Sequence, residues 1–232
     1  MNGDEERSAR RSVDLSRDQI RLDGRPLTLP AERLVLAFHK PTGLLTTRVD
    51  PRGRPTIYEA LRGLDRWVFP AGRLDRETSG LLILTNDSRL SRHLTDPRSR
   101  VPKTYHARVQ GHPDEEALRA LGQGVDLGGG VRTRPAIVRP LGSSRGQRST
   151  RREDGRGSSW LEIVLTEGRK HQVRRLCARV GHDVLTLVRV RIGHLDLGDL
   201  PEGGWRMLGT DDVERLAPSV AESRRLLRVR GG

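Results

Sequence analysis

The sequence has a single cysteine, Cys177, and no run of apolar residues approaches the roughly 20 that a membrane span requires. One thiol excludes an intramolecular disulfide and a metal site built from several cysteines. The start, Met1 to Arg11, is charged rather than apolar, so it does not read as a signal peptide. Neither a phosphate-binding Gly-x-x-x-x-Gly-Lys pattern nor a His/Cys cluster at ligand spacing occurs. We expect a soluble, cytoplasmic protein that needs no metal or other cofactor and does not contact a membrane.

The basic residues are almost all arginine, because only Lys40, Lys103 and Lys170 are lysines among 43 basic residues. With 30 acidic residues, the chain has a net charge of +13. Arginine suits phosphate contacts and stacking on bases, so this balance predicts a polyanionic partner, most often nucleic acid. The alternative is a coding bias that raises arginine content in every protein of the source.

Composition divides the chain into a central domain and polar ends. Residues 1–30 read as a mobile tail and a short hairpin, residues 31–215 as one folded domain, and residues 216–232 as a basic tail. Within the domain, residues 142–159 are glycine, serine and arginine with almost no apolar side chain. This stretch is either a flexible insertion or an arm that contacts the partner.

The hydrophobic pattern predicts many strands and a few short helices, and therefore an α+β fold. The predicted strands are Arg33–His39, Arg66–Phe69, Leu81–Leu84, Lys103–Val109, Val131–Val138, Trp160–Thr166, Val184–Ile192 and Trp205–Leu208. The predicted helices run from Thr56 to Leu61, from Asp87 to Leu94, from Pro113 to Leu121 and from Val173 to Val180. The last of these helices makes Cys177 a core residue.

A polar loop, Ala71 to Gly80, leads directly into the buried strand Leu81–Leu84. A loop attached to a buried strand is a rigid support for a polar group. The loop holds Asp75 between Arg73 and Arg76, and two neighbouring guanidiniums should keep this carboxylate ionised. The alternative is an ordinary cluster of surface ion pairs.

A second polar motif, Glu167 to Arg175, joins the end of a strand to the start of a helix. Backbone N–H groups and basic side chains at a helix start favour an anion such as phosphate. The alternative is a basic face that only water contacts.

Three motifs together resemble the pseudouridine synthases of the RsuA, RluB, RluE and RluF type. The stretch from Gly72 to Asp87 resembles the family's Gly-Arg-Leu-Asp-Arg motif and the strand after it. Lys103-Thr-Tyr105 and Glu167 to Arg175 resemble two further motifs in the same order. The resemblance extends over residues 31–210. It implies the pseudouridine synthase catalytic fold: a long mixed, mainly antiparallel sheet with flanking helices and a basic central cleft.

The resemblance also implies a role for individual residues. Asp75 would be the catalytic carboxylate, Tyr105 would stack on the target uracil, and Arg174 would pair with Asp75. Arg73 would help to open the RNA stack, and Val173 would pack beside the base. The residues expected to bind RNA are Arg73, Arg76, Lys103, Arg169, Lys170, Val173 and Arg175. Without the resemblance, Tyr105 would read as an ordinary strand residue.

We therefore expect an enzyme that isomerises uridine to pseudouridine in structured RNA, with no obligate protein partner and as a monomer. Relatives that lack an N-terminal RNA-binding module are of the RluE type, so we expect large-subunit (23S) ribosomal RNA as the substrate. The alternatives are a synthase for small-subunit or transfer RNA, and a non-catalytic RNA-binding or ribosome-assembly factor on the same fold.

Overall fold

The computed structural model describes residues 19–26, 33–128, 130, 132–142 and 157–217. The described residues divide into two compact units between Arg33 and Leu34. In the first unit, Arg21–Leu22 (β1) and Arg25–Pro26 (β2) pair antiparallel around an Asp23–Gly24 turn, as the sequence predicted. Residues 142–159, which we expected to form a flexible insertion or an arm, lie mostly outside the described residues.

In the second unit, nine described strands form one sheet. They are β3 (Val35–Lys40), β4 (Phe69–Pro70), β5 (Ser79–Thr85), β6 (Lys103–Gln110), β7 (Ile137–Leu141), β8 (Ser158–Leu165), β9 (Val184–Ile192), β10 (Leu195–Asp196) and β11 (Trp205–Met207). The main order is β11-β3-β5-β9-β6-β8-β7; β4 pairs with β5, and β10 pairs with β9. Of these pairs, only β5–β9 is parallel. The predicted mixed, mainly antiparallel sheet is confirmed.

Five described α-helices flank the sheet: α1 (Ile57–Ala60), α2 (Ser88–Thr95), α3 (Glu115–Gln123), α4 (Gln172–Arg179) and α5 (Thr210–Leu216). The predicted capping box opens α1, where the Glu59 carboxylate accepts from the Thr56 N–H at 2.9 Å. The Asp87 carboxylate caps α2, again as predicted. Among the described residues, no helix combines the length and the apolar character needed to cross a bilayer.

Several predicted boundaries differ from the structure. Helix α3 starts at Glu115 and not at Pro113, because the Asp114 carboxylate caps it by accepting from the Ala117 N–H. The strand predicted for Arg66–Phe69 is only Phe69–Pro70, and the one predicted from Val131 begins at Ile137. The short helix α5, which carries charges of both signs, was not predicted from the sequence.

Strand β5 is buried along its whole length, which explains its uninterrupted apolar sequence. Leu81 and Ile83 point into one core cluster with α2 and α5, whereas Leu82 and Leu84 point into another with α1. A third cluster joins β6, β8 and β9 to α3 and α4 and contains Cys177. Cys177 is fully buried, so its prediction as a core residue is confirmed, and this burial raises the pKa of its thiol to about 12.

The parallel β5–β9 pairing depends on Gly80. Its backbone lies opposite Arg189 in the register and has φ of +110°, a conformation that side chains rarely adopt. A Cβ atom at this position would lie 2.3 Å from the Arg189 carbonyl oxygen and 2.5 Å from its nitrogen. The absence of a side chain therefore allows β9 to approach the strand that follows the Asp75 loop.

We predict that Gly80→Ala lowers the free energy of unfolding by at least about 2 kcal/mol, because it adds overpacking to an unfavourable φ. Chemical denaturation measures this change. Gly168→Ala is the matched control, since Gly168 is exposed and a Cβ there would meet nothing within 4 Å. Equal stabilities of the two variants would contradict the proposed close approach of the strands.

Candidate active site

A cleft of about 610 Å³ opens where the loop before β5, strands β6 and β9, and the loop before α4 meet. Asp75 enters it from the first loop, Tyr105 from β6, Arg189 from β9 and His171 from the start of α4. The motifs that the sequence analysis singled out therefore converge on one site. The volume falls within the range of roughly 300–1,000 Å³ that is usual for small-ligand pockets.

The Asp75 loop is held through its backbone. Two of its carbonyl oxygens accept from backbone N–H groups: Arg76 from Gly43 at 2.8 Å, and Asp75 from Thr78 at 3.0 Å. The remaining carbonyls accept from side chains of other segments. These bonds are Thr46 Oγ1 to Leu74 O (2.8 Å), Lys40 Nζ to Thr78 O (3.0 Å), Arg174 Nη2 to Glu77 O (2.7 Å) and Arg189 Nη1 to Arg73 O (3.5 Å). Every carbonyl from Arg73 to Thr78 thus has a donor. The Arg189–Arg73 contact at 3.5 Å is long, and the five shorter bonds hold the loop in place.

Lys40 lies beneath this loop and is fully buried. Its ammonium group also donates to the Pro41 carbonyl oxygen at 2.7 Å. Burial lowers the pKa of Lys40 to about 8, and the negative charges of Glu77 and Asp75 oppose this shift. A buried cation below the loop therefore favours a negative charge in the cleft above it.

The nearest described ionic partner of Asp75 is His171, whose Nε2 lies 3.5 Å from Oδ1. This distance is longer than an ordinary hydrogen bond. The Asp75 side chain is 37% exposed and that of His171 is 48% exposed. The expected flanking guanidiniums do not pair with Asp75, because Arg76 lies 3.2 Å from the exposed Glu77 carboxylate instead. The Asp75 carboxylate therefore has room to meet a substrate.

The prediction that Arg174 pairs with Asp75 is wrong in this structure. Its guanidinium donates to the Glu77 carbonyl at 2.7 Å and to the Val184 carbonyl at 3.0 Å. It joins helix α4 and the start of β9 to the loop that carries Asp75. Arg174 thus acts on Asp75 through the backbone.

The loop before α4 is built on a buried pair five residues apart in the second motif. The Gln172 side chain donates to Glu167 Oε1 at 2.7 Å and accepts from the Arg169 N–H at 2.8 Å. Arg169 Nε also lies 3.3 Å from Glu167 Oε2. This closed loop places Lys170 and His171 on the cleft wall, and His171 itself has a left-handed backbone with φ of 52°.

The opposite wall comes from β6 and β9. Tyr105 lies across from Arg189 in the register, beside a β-bulge at Thr104/Tyr105. Arg189 is buried, and its Nε donates to the Leu81 carbonyl at 2.8 Å. Among the described residues, no acceptor is within hydrogen-bond range of its Nη2. Because an unsatisfied buried donor is costly, Arg189 is suited to bind an acceptor that enters with the substrate.

The predicted RNA-binding residues fall into two groups. Those that line the cleft are Arg73, Lys103, Arg169, Lys170 and Val173. Arg76 and Arg175 do not line it, and Arg175 instead donates to the Leu127 carbonyl at 2.7 Å. Their role in binding RNA stays a prediction without support from the cleft geometry.

Sequence reasoning gave no role to His171, Arg189 or Lys40, which shape the site. His171 lies inside the second motif, so the motif could have indicated that His171 belongs to the site. The local sequence did not show that Arg189 and Lys40 contact the Asp75 loop, because each reaches the loop only through the pairing of distant strands.

Comparison with known proteins decides the family. Residues 34–179 match the family model described as RNA pseudouridylate synthase. The chain is 42% identical to a Xanthomonas campestris pv. campestris protein named ribosomal large subunit pseudouridine synthase E, over 80% of this chain and 100% of that protein. The chain belongs to the RNA pseudouridylate synthase family. The resemblance to the RsuA, RluB, RluE and RluF type is thereby confirmed, and the chain is an isomerase.

Other relatives agree with this assignment. A Yersinia pestis protein named ribosomal large subunit pseudouridine synthase B is 41% identical over 82% of this chain, which spans only 58% of that relative's length. An Aquifex aeolicus protein named uncharacterized RNA pseudouridine synthase is 37% identical over 95% of this chain and 84% of its own length. A solved structure described as a pseudouridylate synthase is 30% identical with a TM-score of 0.69, covering 93% of this chain and 87% of that one. The predicted fold is confirmed.

We predict that RNA binding weakens by about tenfold as pH rises through about 8, since Lys103 then loses its charge. Burial, and to a smaller extent the charge of Arg189, lowers the pKa of Lys103 to about 8. Lys103→Arg should bind RNA with little change over this range, because a guanidinium stays charged. Dissociation constants from about pH 7 to 9 measure the difference.

The comparison isolates Lys103, because Lys40 has a similar pKa in both proteins and does not line the cleft. A Lys103→Arg protein whose affinity falls with pH as steeply as that of the wild type would show that another group titrates.

Proposed function

We propose that this enzyme converts uridine to pseudouridine in large-subunit ribosomal RNA, with Asp75 as the catalytic carboxylate. The observation that carries the proposal is the position of Asp75: its carboxylate is partly exposed in a basic cleft, on a loop whose carbonyls are all bonded. Such a loop presents the reactive group in one fixed place.

The reaction detaches uracil from ribose, turns it, and rejoins it to the sugar through carbon 5. A base inside an RNA helix cannot reach a protein carboxylate, so the target must first leave the stack, at a cost of roughly a few kcal/mol. Stacking of the target base on Tyr105 would offset this free-energy cost by about 1–3 kcal/mol. The cleft volume of about 610 Å³ is sufficient for one flipped nucleotide.

Asp75 is suited to attack the nucleotide or to stabilise charge that develops on it. The positive charge of Arg189, which lines the cleft, would attract an acceptor oxygen of the base or sugar, and Val173 would pack beside the ring. A proton must finally leave carbon 5, so a general base acts late in the reaction. Tyr105 keeps the role that the resemblance implies, beside the reacting ring. Arg174 is instead a positioning residue that supports the Asp75 loop.

We predict that Asp75→Asn abolishes isomerisation, by at least about a thousandfold, because the amide has no negative charge and is a poor nucleophile. RNA affinity should be kept or raised, since one negative charge leaves a basic cleft. Glu77→Gln is the matched control: it removes the same charge two residues away, from a side chain that is 66% exposed. Single-turnover assays on both variants measure the difference.

Residual turnover by the Asn variant, once mass spectrometry has excluded deamidation to aspartate, would contradict the assignment of Asp75. Loss of activity in the Glu77→Gln control as well would show that local charge, rather than the Asp75 carboxylate itself, matters.

The names of the relatives support the choice of RNA. Both the Xanthomonas campestris and the Yersinia pestis proteins are named for the large ribosomal subunit. We place this enzyme in the cytoplasm, where ribosomes are assembled, and propose that it acts as a monomer. Phosphate contacts do not read sequence, so the choice of uridine would come from RNA shape around an exposed loop.

We predict that isolated large-subunit RNA is modified and that small-subunit RNA and transfer RNA are not. The three RNAs should be offered in parallel at physiological salt, because salt strongly affects binding to phosphate. Mapping of pseudouridine at nucleotide resolution gives the result, and RNA treated with the Asp75→Asn protein is the control. Modification confined to small-subunit or transfer RNA would overturn the substrate and leave the enzyme class unchanged.

A further inference from the structure

Outside the cleft, three side chains form a stacked column that ends in a cation. The rings of Tyr58 and Trp67 are parallel within 3°, with centroids 5.8 Å apart. The Arg48 guanidinium carbon lies 4.6 Å from the centroid of the Trp67 ring. The tyrosine hydroxyl donates to the Val68 carbonyl at 3.0 Å, which fixes the base of the column.

The loop that carries Arg48 is itself well ordered by hydrogen bonds. Its two ends meet where Leu45 pairs with Thr56. Inside the loop, the Asp50 carboxylate accepts from the Arg54 guanidinium at 2.8 and 3.0 Å and from the Arg52 N–H at 3.1 Å. Asp50, the acidic side chain closest to Arg48 in the sequence of this loop, is therefore already bonded to Arg52 and Arg54. Within the described residues, Arg48 forms no ion pair, so its charge is available to a partner.

Packing alone explains only part of the column. Tyr58 packs against the core cluster beneath β3 and β5, which accounts for its burial. Trp67 is 53% exposed, and Arg48 is exposed, so neither contributes much to covering that core. Exposed aromatic rings with a basic neighbour are the usual components of sites that stack unpaired nucleobases.

The column is connected to the loop that carries Asp75. Thr46, two residues before Arg48, donates to the Leu74 carbonyl and accepts from the Leu74 N–H. Trp67 is four residues before Ala71, which lines the cleft, so their Cα atoms are at most about 14 Å apart. The column is therefore attached to the loop that carries Asp75 and lies close to a cleft residue along the chain.

We propose that the outer face of the Arg48 guanidinium stacks one unpaired nucleobase of the RNA, next to the target nucleotide. The proposal rests on the proposed function in that it takes RNA as the ligand. A guanidinium is planar and charged, so it can stack on a base and attract the phosphate backbone at once. The base would lie on the Arg48 guanidinium, next to the stacked rings of Trp67 and Tyr58.

Arg48→Lys tests this stacking, because lysine keeps the charge and loses the planar group. The probe is an RNA hairpin whose loop contains one uridine among adenosines. We expect binding to weaken by about fivefold or more, with an unchanged slope of log Kd against log salt concentration. Arg119→Lys is the matched control: Arg119 is an exposed arginine on α3, which packs on the far end of the sheet, and this change should leave Kd unaltered.

A series of abasic substitutions in the hairpin loop then locates the stacked base. In the wild type, one abasic position should weaken binding by about fivefold, and in Arg48→Lys the same position should have no further effect. Equal binding by Arg48→Lys and the wild type, or an abasic effect that is the same in both proteins, would overturn the proposal. So would a wild type that does not bind the hairpin.

These results are separate from those on the proposed function, because binding is measured without turnover. If Arg48→Lys binds the hairpin more weakly but no ribosomal RNA is modified by the wild type, the stacking site stands and the proposed substrate falls. If large-subunit RNA is modified and Arg48→Lys binds the hairpin as tightly as the wild type, the proposed substrate stands and the stacking site falls.

Discussion

The hydrogen bonding of the carbonyl oxygens from Arg73 to Thr78 is the constraint on which the site depends. Six consecutive carbonyl oxygens accept from donors, two from backbone N–H groups and four from side chains of other segments. When the backbone of a loop is fixed in this way, the starting point of each side chain is fixed too, even if the side chain makes few contacts of its own. Asp75 can therefore remain partly exposed and still be fixed in position, although its described ionic partner, His171, lies 3.5 Å away.

The donors come from distant parts of the chain, so the site requires β3 and β9 to be in place beside β5. Lys40 ends β3, Arg189 lies in β9, and both strands neighbour β5. Gly80 allows β9 to lie close enough for Arg189 to reach the loop. Arg174 contributes from α4, which packs against β9. A substitution that removes one of these contacts would therefore shift the Asp75 loop, although the substituted residue does not contact the Asp75 carboxylate.

Burial of cations distinguishes this cleft from an ordinary basic surface. The pKa values of Lys40 and Lys103 are both lowered to about 8, mainly because the protein removes water from them. The buried guanidinium of Arg189 adds a third positive charge. Charges with little water around them act strongly on a bound anion, whereas the exposed arginines are screened by salt. We therefore expect the buried cations to act on bound RNA even at high salt, and the exposed arginines to act mainly at low salt.

The sequence by itself determined the family, the buried strand β5, the helix caps at Thr56 and Asp87, and the core position of Cys177, because these depend on local spacing and residue type. Only the tertiary structure decided which charges surround Asp75. Its sequence neighbours Arg73 and Arg76 do not pair with it, and Arg174 bonds the backbone instead of the carboxylate. The same holds for Arg189, which is 116 residues from Arg73 in sequence. Side-chain direction follows from the pairing of distant strands, and no local pattern encodes it.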